Sequence, residues 1–271
     1  MTTTGTDPRE LLRVAVEVAR EAADLARRMR DSAIDTVTTK SSDTDPVTAA
    51  DREVERRAVA ALRRARPGDR ILGEEYGSAD ADEAGAVRWL LDPIDGTVNY
   101  LYGVPWYAVS LAAEVAGQVV AGVVRNAATG QEWTAVAGHG AYRDGVRLGG
   151  SRRRELRHAL VATGFAYQPA RRAHQAEVLR NLLPQVADVR RFGAASLDLC
   201  AAADGTVDAF YEQGLEPWDH AAGGLIAAEA GLIVAGLEGA APGPAMVVAA
   251  PPALFQPLHD RLVALDAAGG A

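Results

Sequence analysis

Apolar residues recur every three to four positions near the start of the chain, between residues 8 and 30. Such spacing places them on one face of a helix and predicts an amphipathic helix. The recurring residues are Leu11, Ala15, Val18, Ala22, Leu25 and Met29. The periodicity then stops in residues 31–45, which are rich in Ser, Thr and Asp and predict an exposed loop. A second helix is predicted from Thr48, whose hydroxyl can cap it, to the Pro67-Gly68 pair.

Short apolar runs in the middle of the chain predict an antiparallel sheet. These runs span residues 87–91, 107–115, 118–124 and 131–136. The first run stops at Asp92-Pro93, so we expect a buried strand with an aspartate at its carboxyl end. An Asp144-Gly145 pair predicts a hairpin turn beyond the last run.

Strand and helix patterns alternate after residue 150. Strands are predicted at residues 158–162, 189–192, 207–211 and 245–250, and helices at 170–183, 195–203 and 217–230, with one more helix closing the chain. This alternation is typical of an α/β fold. We therefore expect two closely joined lobes, 1–150 with the antiparallel sheet and 151–271 with the α/β pattern.

Composition and charge narrow the classes of function. The 271-residue chain is 48% hydrophobic and carries a formal net charge of -8, so a nucleic-acid backbone would be repelled and no nucleic-acid partner is expected. A small anionic substrate would be repelled too unless bound cations reversed the local charge. The single cysteine, Cys200, excludes an internal disulfide and a cysteine-based zinc cluster. No signal peptide or membrane-spanning apolar run is apparent, so we expect a cytoplasmic protein without membrane attachment.

Carboxylates stand beside structure-breaking residues in four segments, which are residues 47–51, 73–75, 92–97 and 218–223. Each acid alone has an ordinary explanation as a helix-terminus, loop or turn residue. The third segment is harder to explain, because Asp92 and Asp95 both emerge from a buried strand. Two carboxylates ~5 Å apart repel by roughly 3 kcal/mol at an effective dielectric near ~20. A cluster of them needs a cation, and all-oxygen donors favour magnesium.

These segments resemble the signature blocks of the inositol monophosphatase family. Residues 92–97 match the motif Asp-Pro-Ile-Asp-Gly-Thr at every position, and residues 218–223 match Trp-Asp-x-Ala-Ala-Gly. Residues 73–75 and 47–51 are similar to the two remaining motifs, Gly-Glu-Glu and Val-Thr-x-x-Asp. The resemblance continues through Gly193-Ala194-Ala195 and Tyr211-Glu212, so it covers nearly the whole chain.

The resemblance implies a layered α/β/α/β/α sandwich of the inositol monophosphatase and fructose-bisphosphatase type. It also implies two to three Mg²⁺ ions per active site. Glu74, Asp92 and the carbonyl of Ile94 would hold the first ion. Asp92, Asp95 and Asp219 would hold the second, and a third, looser ion would lie near Glu74. Lys40 matches a position in a mobile loop that closes over the site.

The resemblance assigns further roles within the site. Glu74 and Thr97 would hold and activate the attacking water, with Asp51 supporting their hydrogen bonds. Ala194 departs from the Thr or Ser that many members have there, which removes a possible hydroxyl contact to the substrate. A homodimer is also implied. The expected substrate contacts are Asp95, Gly96, Thr97, Gly193, Ala194, Ala195, Glu212 and Asp219.

The expected activity is magnesium-dependent hydrolysis of a small polyol phosphate, with inositol 1-phosphate as the preferred substrate. Residues 99–101 and Glu212 favour this branch of the superfamily. Superfamily phosphatases acting on histidinol phosphate, fructose 1,6-bisphosphate, NADP or 3'-phosphoadenosine nucleotides remain open, because they share the metal motifs. A binding protein with an RNA-related role and a glycosidase with paired carboxylates are the rivals from other classes.

Overall fold

A computed structural model describes residues 6–33, 37–39, 46–79 and 87–270. Short 3-10 turns at Leu156–His158 and Leu183–Gln185 accompany the longer helices. The α-helices of this part of the chain are α1 (Pro8–Ala33), α2 (Ala49–Ala65), α3 (Thr97–Tyr102), α4 (Pro169–Leu182), α5 (Ala195–Asp204), α6 (Pro217–Glu229) and α7 (Pro252–Ala264).

The strands of the described residues form three sheets, and the smallest is a two-stranded pairing of β1 with β2. The strands in the first half of the chain are β1 (Val37–Thr39), β2 (Pro46–Thr48), β3 (Arg70–Gly73), β4 (Gly77–Ala79), β5 (Val87–Asp95), β6 (Ala108–Val115), β7 (Gln118–Asn126), β8 (Glu132–Val136), β9 (Ala141–Arg143) and β10 (Val146–Arg147). Those in the second half are β11 (Leu160–Thr163), β12 (Asp188–Arg190), β13 (Ala209–Glu212), β14 (Ile233–Ala235) and β15 (Val247–Ala250).

The larger sheet has eight strands in the order β10-β9-β8-β7-β6-β5-β3-β4. Its strands pair antiparallel except for β3 and β5, which are parallel. The antiparallel sheet predicted for the middle of the chain is thereby confirmed. Because β3 and β5 are parallel neighbours, the residues that follow their carboxyl ends, Glu74 and the Asp92–Asp95 segment, lie at the same edge.

The smaller sheet has five strands in the order β12-β11-β13-β15-β14. Strand β11 is parallel to both β12 and β13, whereas β15 is antiparallel to its two neighbours. All five strands come after residue 150, and the larger sheet ends at Arg147. The division into lobes 1–150 and 151–271 stays a prediction.

Five layers alternate through the molecule and confirm the predicted α/β/α/β/α arrangement. Helices α1 and α2 pack their apolar faces on one side of the larger sheet. Helices α5 and α6 lie between the two sheets, in a core of buried apolar residues to which both sheets contribute. Helices α4 and α7 cover the outer side of the smaller sheet. Of the described helices, none is long and apolar enough to cross a lipid bilayer.

Three local predictions need correction. The predicted loop at residues 31–45 contains the end of α1 and strand β1, because backbone pairing with β2 requires no apolar periodicity. Strand β5 continues to Asp95 instead of ending at residue 91, with a register shift against β6 after Asp92 that accommodates Pro93, which has no N–H to donate. Strands β3, β4 and β14 were not predicted, since three or four residues give too short a pattern.

Candidate active site

A cleft of about 400 Å³ opens where both sheets and the interlayer helices meet. The segment at the end of β5 and start of α3 forms one wall, and the residues after β11 and β13 form the other. The cleft brings together carboxylates that are far apart in the sequence, from Glu74 to Asp219. Residues of the predicted site that line it are Glu74, Asp92, Ile94, Asp95, Gly96, Thr97, Gly193, Ala195, Glu212 and Asp219.

The irregular end of β5 directs Asp92 into the cleft. Its Oδ1 accepts the N–H of Ile94 at 3.0 Å, a short-range bond that holds the bulged segment around Pro93. The Asp92 side chain is only 2% exposed. Burial raises its pKa well above the usual range, and the nearby charges of Glu74, Asp95 and Asp219 raise it further.

Asp95 is held by the first turn of α5. Its carboxylate accepts the N–H groups of Ala195 at 3.1 Å and Ser196 at 2.7 Å, together with the Ser196 hydroxyl. Burial raises the pKa of Asp95 to about 6, and the bonds from Ser196 partly offset that rise. The first two N–H groups of α5, at its positive end, therefore bind this carboxylate.

Gly96 permits a close approach of backbone segments. It has a φ of +88°, and a Cβ at this position would lie 3.0 Å from Ala194 Cβ and 3.1 Å from the carbonyl oxygen of Gly193. A side chain would therefore be strained and would separate the β5–α3 segment from α5. Ala194 itself is 2% exposed and lies outside the cleft lining, behind Gly96.

Thr97 connects the cleft to a buried acid in α2. Its Oγ1 lies 3.2 Å from Asp51 Oδ1 and 3.2 Å from the carbonyl oxygen of Ile94. Asp51 is fully buried and does not line the cleft. The contact with Asp51 holds the Thr97 hydroxyl in one orientation. The supporting role predicted for Asp51 requires such a contact.

A second buried acid of α2 fixes the turn that carries Glu74. The Glu55 carboxylate accepts the N–H groups of Glu75 at 2.8 Å and Tyr76 at 3.1 Å. Gly73 makes room for it, since a Cβ there would lie 2.1 Å from Glu55 Oε1. Burial raises the pKa of Glu55 to about 7. Glu55 was not predicted as a site residue, although its position one helical turn after Asp51 is a signal that the sequence carries.

Asp219 belongs to the first turn of α6. It forms a reciprocal cap with Glu216, in which Asp219 Oδ2 accepts the N–H of Glu216 at 2.7 Å and the Glu216 side chain accepts the N–H of Asp219. Burial raises the pKa of Asp219 well above its usual range, and the charges of Glu74 and Asp95 add to the effect. Asp219 therefore caps α6 and also lies close to the other acids of the cleft.

Carboxylate oxygens and the Ile94 carbonyl are the donors that Mg²⁺ prefers, and the cleft carries no thiol or imidazole among its lining residues. The acids raise one another's pKa, which indicates mutual proximity. Within the described residues, no three acidic, histidine or cysteine side chains already meet in a finished metal-ligand geometry. Carboxylates that share one cleft repel one another, and a cation removes that repulsion. The residues therefore fit a hard divalent cation.

Glu212 ends β13 on the opposite wall. Burial raises its pKa to about 8, and Arg191 partly offsets the rise. Gly164 leaves space for it, since a Cβ there would lie 1.9 Å from Glu212 Oε1. Arg171 and Arg191 also line the cleft, and neither was predicted as a site residue, because no motif or spacing marks them. Lys40 lies outside the described residues.

Comparison with known proteins gives matches over nearly the whole chain. The model of the inositol monophosphatase family matches residues 7–265. The chain is 46% identical over 281 residues to the inositol-1-monophosphatase of Mycobacterium leprae, covering 97% of this chain and 96% of the relative. It is 41% identical over 234 residues to Nus factor SuhB of Pseudomonas aeruginosa, covering 84% of this chain and 86% of the relative. The structure of Mycobacterium tuberculosis SuhB superposes with a TM-score of 0.84 at 42% identity, covering 97% of this chain and all of the other.

Proposed function

The chain belongs to the inositol monophosphatase family, and from that premise we propose that it is a magnesium-dependent phosphomonoesterase that hydrolyses inositol 1-phosphate to inositol and phosphate. Its enzyme class is phosphoric monoester hydrolase. The observation that carries the proposal is the meeting of Glu74, Asp92, Asp95 and Asp219 in one cleft, where burial and the charges of neighbouring acids raise the pKa of all three aspartates. A divalent cation relieves that repulsion and also attracts a phosphate.

Glu74, Asp92 and the Ile94 carbonyl would hold one Mg²⁺, and Asp92, Asp95 and Asp219 would hold a second. A third ion near Glu74 belongs to the same proposal. Bound Mg²⁺ lowers the pKa of a water and neutralises charge on the phosphoryl oxygens. The supporting observations are the low exposure of Asp92 and Asp95, 2% and 8%, and a cleft lining without thiol or imidazole groups.

The chain's own groups would position the water and the ester. Glu74 and Thr97 would orient the attacking water, with the Thr97 hydroxyl held through Asp51. Asp95, Gly96 and the start of α5 would shape the space around the phosphate, and Gly193, Ala194 and Ala195 belong to the same expected contact set. The water attacks directly, so no covalent intermediate with the protein forms.

Glu212 would accept hydrogen bonds from the hydroxyls of the alcohol. Its place on the wall facing the carboxylate cluster supports this role, as does the space that Gly164 leaves beside it. A carboxyl group bound by polyol hydroxyls discriminates against esters without them. A homodimeric state and a cytoplasmic location are part of the proposal as predictions.

One specific observation favours a second candidate function. Nus factor SuhB of Pseudomonas aeruginosa, a relative named as a factor and not as an enzyme, is 41% identical to the chain. The alternative is therefore the binding role that the sequence left open, in an RNA-related complex. The net charge of -8 argues against direct RNA contact, and the complete carboxylate set argues for retained catalysis. The substrates of other phosphatases of the superfamily remain candidates, because the proposed metal-binding wall of the cleft would serve their hydrolysis equally.

Release of phosphate by the purified protein tests this proposal. We expect hydrolysis of inositol 1-phosphate with Mg²⁺, none in excess chelator, and inhibition by Ca²⁺, which accepts looser coordination geometry. A panel containing histidinol phosphate, fructose 1,6-bisphosphate, NADP and a 3'-phosphoadenosine nucleotide would rank the alternatives by kcat/KM. Full activity in excess chelator would refute the metal assignment, and inactivity on every ester would favour the binding role.

A further inference from the structure

A segment that the proposed chemistry does not use packs against the wall assigned to the alcohol. This segment, the α7 extension, consists of residues 266–270 and follows helix α7. Two parts of the wall, residues 165–168 and 212–216, line the cleft. A second, small cavity of about 10 Å³ shares Gln213 with the cleft and is also lined by Ala267 of the α7 extension. The α7 extension therefore reaches the wall that carries the proposed alcohol site.

Gln213, which directly follows Glu212, joins the wall to the α7 extension. Its Nε2 donates to the carbonyl oxygens of Ala268 at 2.7 Å and Gly269 at 3.0 Å. Both partners are acceptors, so the amide can present only its NH₂ group to them. The residue is 8% exposed, and its Oε1 is buried without a hydrogen-bond partner among the described residues. The two donated bonds are therefore the polar attachment of this side chain.

Small residues let the α7 extension lie this close to the rest of the molecule. Ala267 is buried, and its N–H donates to the carbonyl oxygen of Leu262 at 2.9 Å, which anchors the extension on α7. Gly270 has a φ of +78°, and a Cβ there would lie 2.6 Å from the Cβ of His174. A larger residue at 270 would be strained and would push the extension away from α4.

The α7 extension also contacts the helix that supports the other part of the wall. His174 of α4 donates through Nε2 to the carbonyl oxygen of Asp266 at 2.8 Å. The next residue, Gln175, is buried and accepts the N–H of Ala166 at 2.8 Å through its Oε1. Ala166 lines the cleft. Both parts of the wall are thus linked to the same segment.

We propose that Gln213 is a positioning residue for recognition of the alcohol, because it fixes the end of β13 from which the Glu212 carboxyl faces the cleft. Neighbouring side chains of an extended segment point to opposite sides, so Gln213 reaches the α7 extension while Glu212 lines the cleft. The Gln213 amide is engaged with the extension and acts on the substrate through Glu212. This inference rests on the proposed function, since it concerns the alcohol site of the same cleft.

Gln213→Met tests the inference, because methionine keeps the approximate length of the side chain and removes the donor. The measured quantity is the ratio of kcat/KM for inositol 1-phosphate to kcat/KM for an aryl phosphate without hydroxyls, at fixed free Mg²⁺. This ratio should fall by about 3- to 10-fold in Gln213→Met, the change expected for loss of a hydrogen bond to the alcohol. Gln185→Met is the matched control, because Gln185 is half-buried, donates to the carbonyl oxygen of Asn181 at 2.8 Å and does not line the cleft.

A double-mutant cycle separates positioning of Glu212 from general stability. In a Glu212→Ala background, Gln213→Met should leave the ratio unchanged within about twofold, because the carboxyl group that it positions is absent. An unchanged ratio in Gln213→Met alone, an equal fall with and without Glu212, or an equal fall in Gln185→Met would overturn the inference. If circular dichroism shows that Gln213→Met does not fold, His174→Phe takes its place with the same expectations, since it removes the other donor to the α7 extension and keeps an aromatic ring.

Hydrogen–deuterium exchange compares the same variants without turnover. Exchange of the backbone amides in residues 165–168 and 212–216 should become faster in Gln213→Met and stay unchanged in Gln185→Met, because only the first substitution releases the wall. If the wild-type protein hydrolyses neither ester, the proposed function fails, and the exchange comparison alone then decides whether the α7 extension holds the wall. Equal exchange in the wild type and Gln213→Met would contradict that link.

Discussion

At the scale of single residues, the site combines acids whose environments differ. Asp95 accepts three hydrogen bonds from groups of α5, and Asp219 accepts the N–H of Glu216 as part of the α6 cap. Glu212 is affected by the positive charge of Arg191. Burial raises the pKa of all three above the usual carboxyl range. Burial, the largest cause, places the pKa of Glu212 at about 8, and a cation bound in the same cleft would favour the ionised form of Glu212 as well as of the aspartates.

Substitution of Glu74 and substitution of Glu212 should change different kinetic parameters. Glu74→Gln should lower kcat by about a hundredfold or more with a modest change in KM, because it acts on groups whose charge changes in the transition state. Glu212→Ala should lower kcat/KM for inositol 1-phosphate by about 10- to 100-fold, from the loss of hydrogen bonds worth roughly 1.5–3 kcal/mol. Hydrolysis of an aryl phosphate without such hydroxyls should stay nearly unchanged in Glu212→Ala. Equal losses on both esters would remove Glu212 from alcohol recognition.

At the scale of elements, α2 organises the site from behind through Asp51 and Glu55, one turn apart. Asp51 holds the Thr97 hydroxyl, and Glu55 holds the turn after β3 that carries Glu74. Both acids are almost completely buried, at 0% and 1% exposure. The helix therefore positions two segments of the cleft at once.

Glu55→Gln tests this positioning. The amide retains one acceptor oxygen, so one of the two bonds to the N–H groups of Glu75 and Tyr76 is lost. We expect a several-fold rise in the Mg²⁺ concentration for half-maximal activity, a smaller change in kcat at saturating Mg²⁺, and weaker Mg²⁺ binding by calorimetry. Glu53→Gln, which disrupts only exposed pairs with Arg56 and Arg57, is the control. A uniform fall in kcat with unchanged Mg²⁺ binding would show that Glu55 acts only on general stability.

The sequence predicts the long elements and the motif residues well, for physical reasons. Helices α1 and α2 have clear apolar faces, and the carboxylate motifs at residues 92–97 and 218–223 follow a strand end and a helix start, so their convergence was foreseeable. Strand β3 is too short for periodicity, although it places Glu74 beside β5. The spacing of Glu55 from Asp51 marks it as a candidate, whereas nothing in the sequence marks Arg171, because a charged residue in a helix is ordinarily solvated and only the tertiary packing places this one at the cleft.

At the scale of the whole molecule, the protonation of the cleft's acids affects the free energy of unfolding, because these acids are buried between the layers of the fold. Asp92, Asp95, Asp219, Glu212 and Glu55 all have raised pKa values, with burial as the largest cause in each case. The folded protein therefore binds more protons than the unfolded chain between the usual carboxyl range and about pH 8. Stability is greatest where these acids are protonated and falls as they ionise.

A thermal melt with chelator should consequently show a Tm that falls between pH 5 and pH 8, as Asp95, Glu55 and Glu212 ionise near pH 6, 7 and 8. Mg²⁺ should raise the Tm more at pH 8 than at pH 5.5, because protons compete with the metal for the same oxygens. Scanning calorimetry in matched buffers gives both quantities. A Tm that climbs from pH 5 to pH 8 in chelator would contradict this description of the cluster.

The central claim is that the buried carboxylate cluster performs the phosphate chemistry, and Asp92→Asn tests it most directly. The measurement is kcat on inositol 1-phosphate at saturating Mg²⁺, with Asp198→Asn as the matched control. Asp198 is equally buried and accepts a hydrogen bond from Trp106, but it lies outside the cleft lining. We predict a loss of at least about a thousandfold for Asp92→Asn with an unchanged fold by circular dichroism, and less than about tenfold for Asp198→Asn. A kcat for Asp92→Asn within about tenfold of the wild type would contradict the assignment of the cluster.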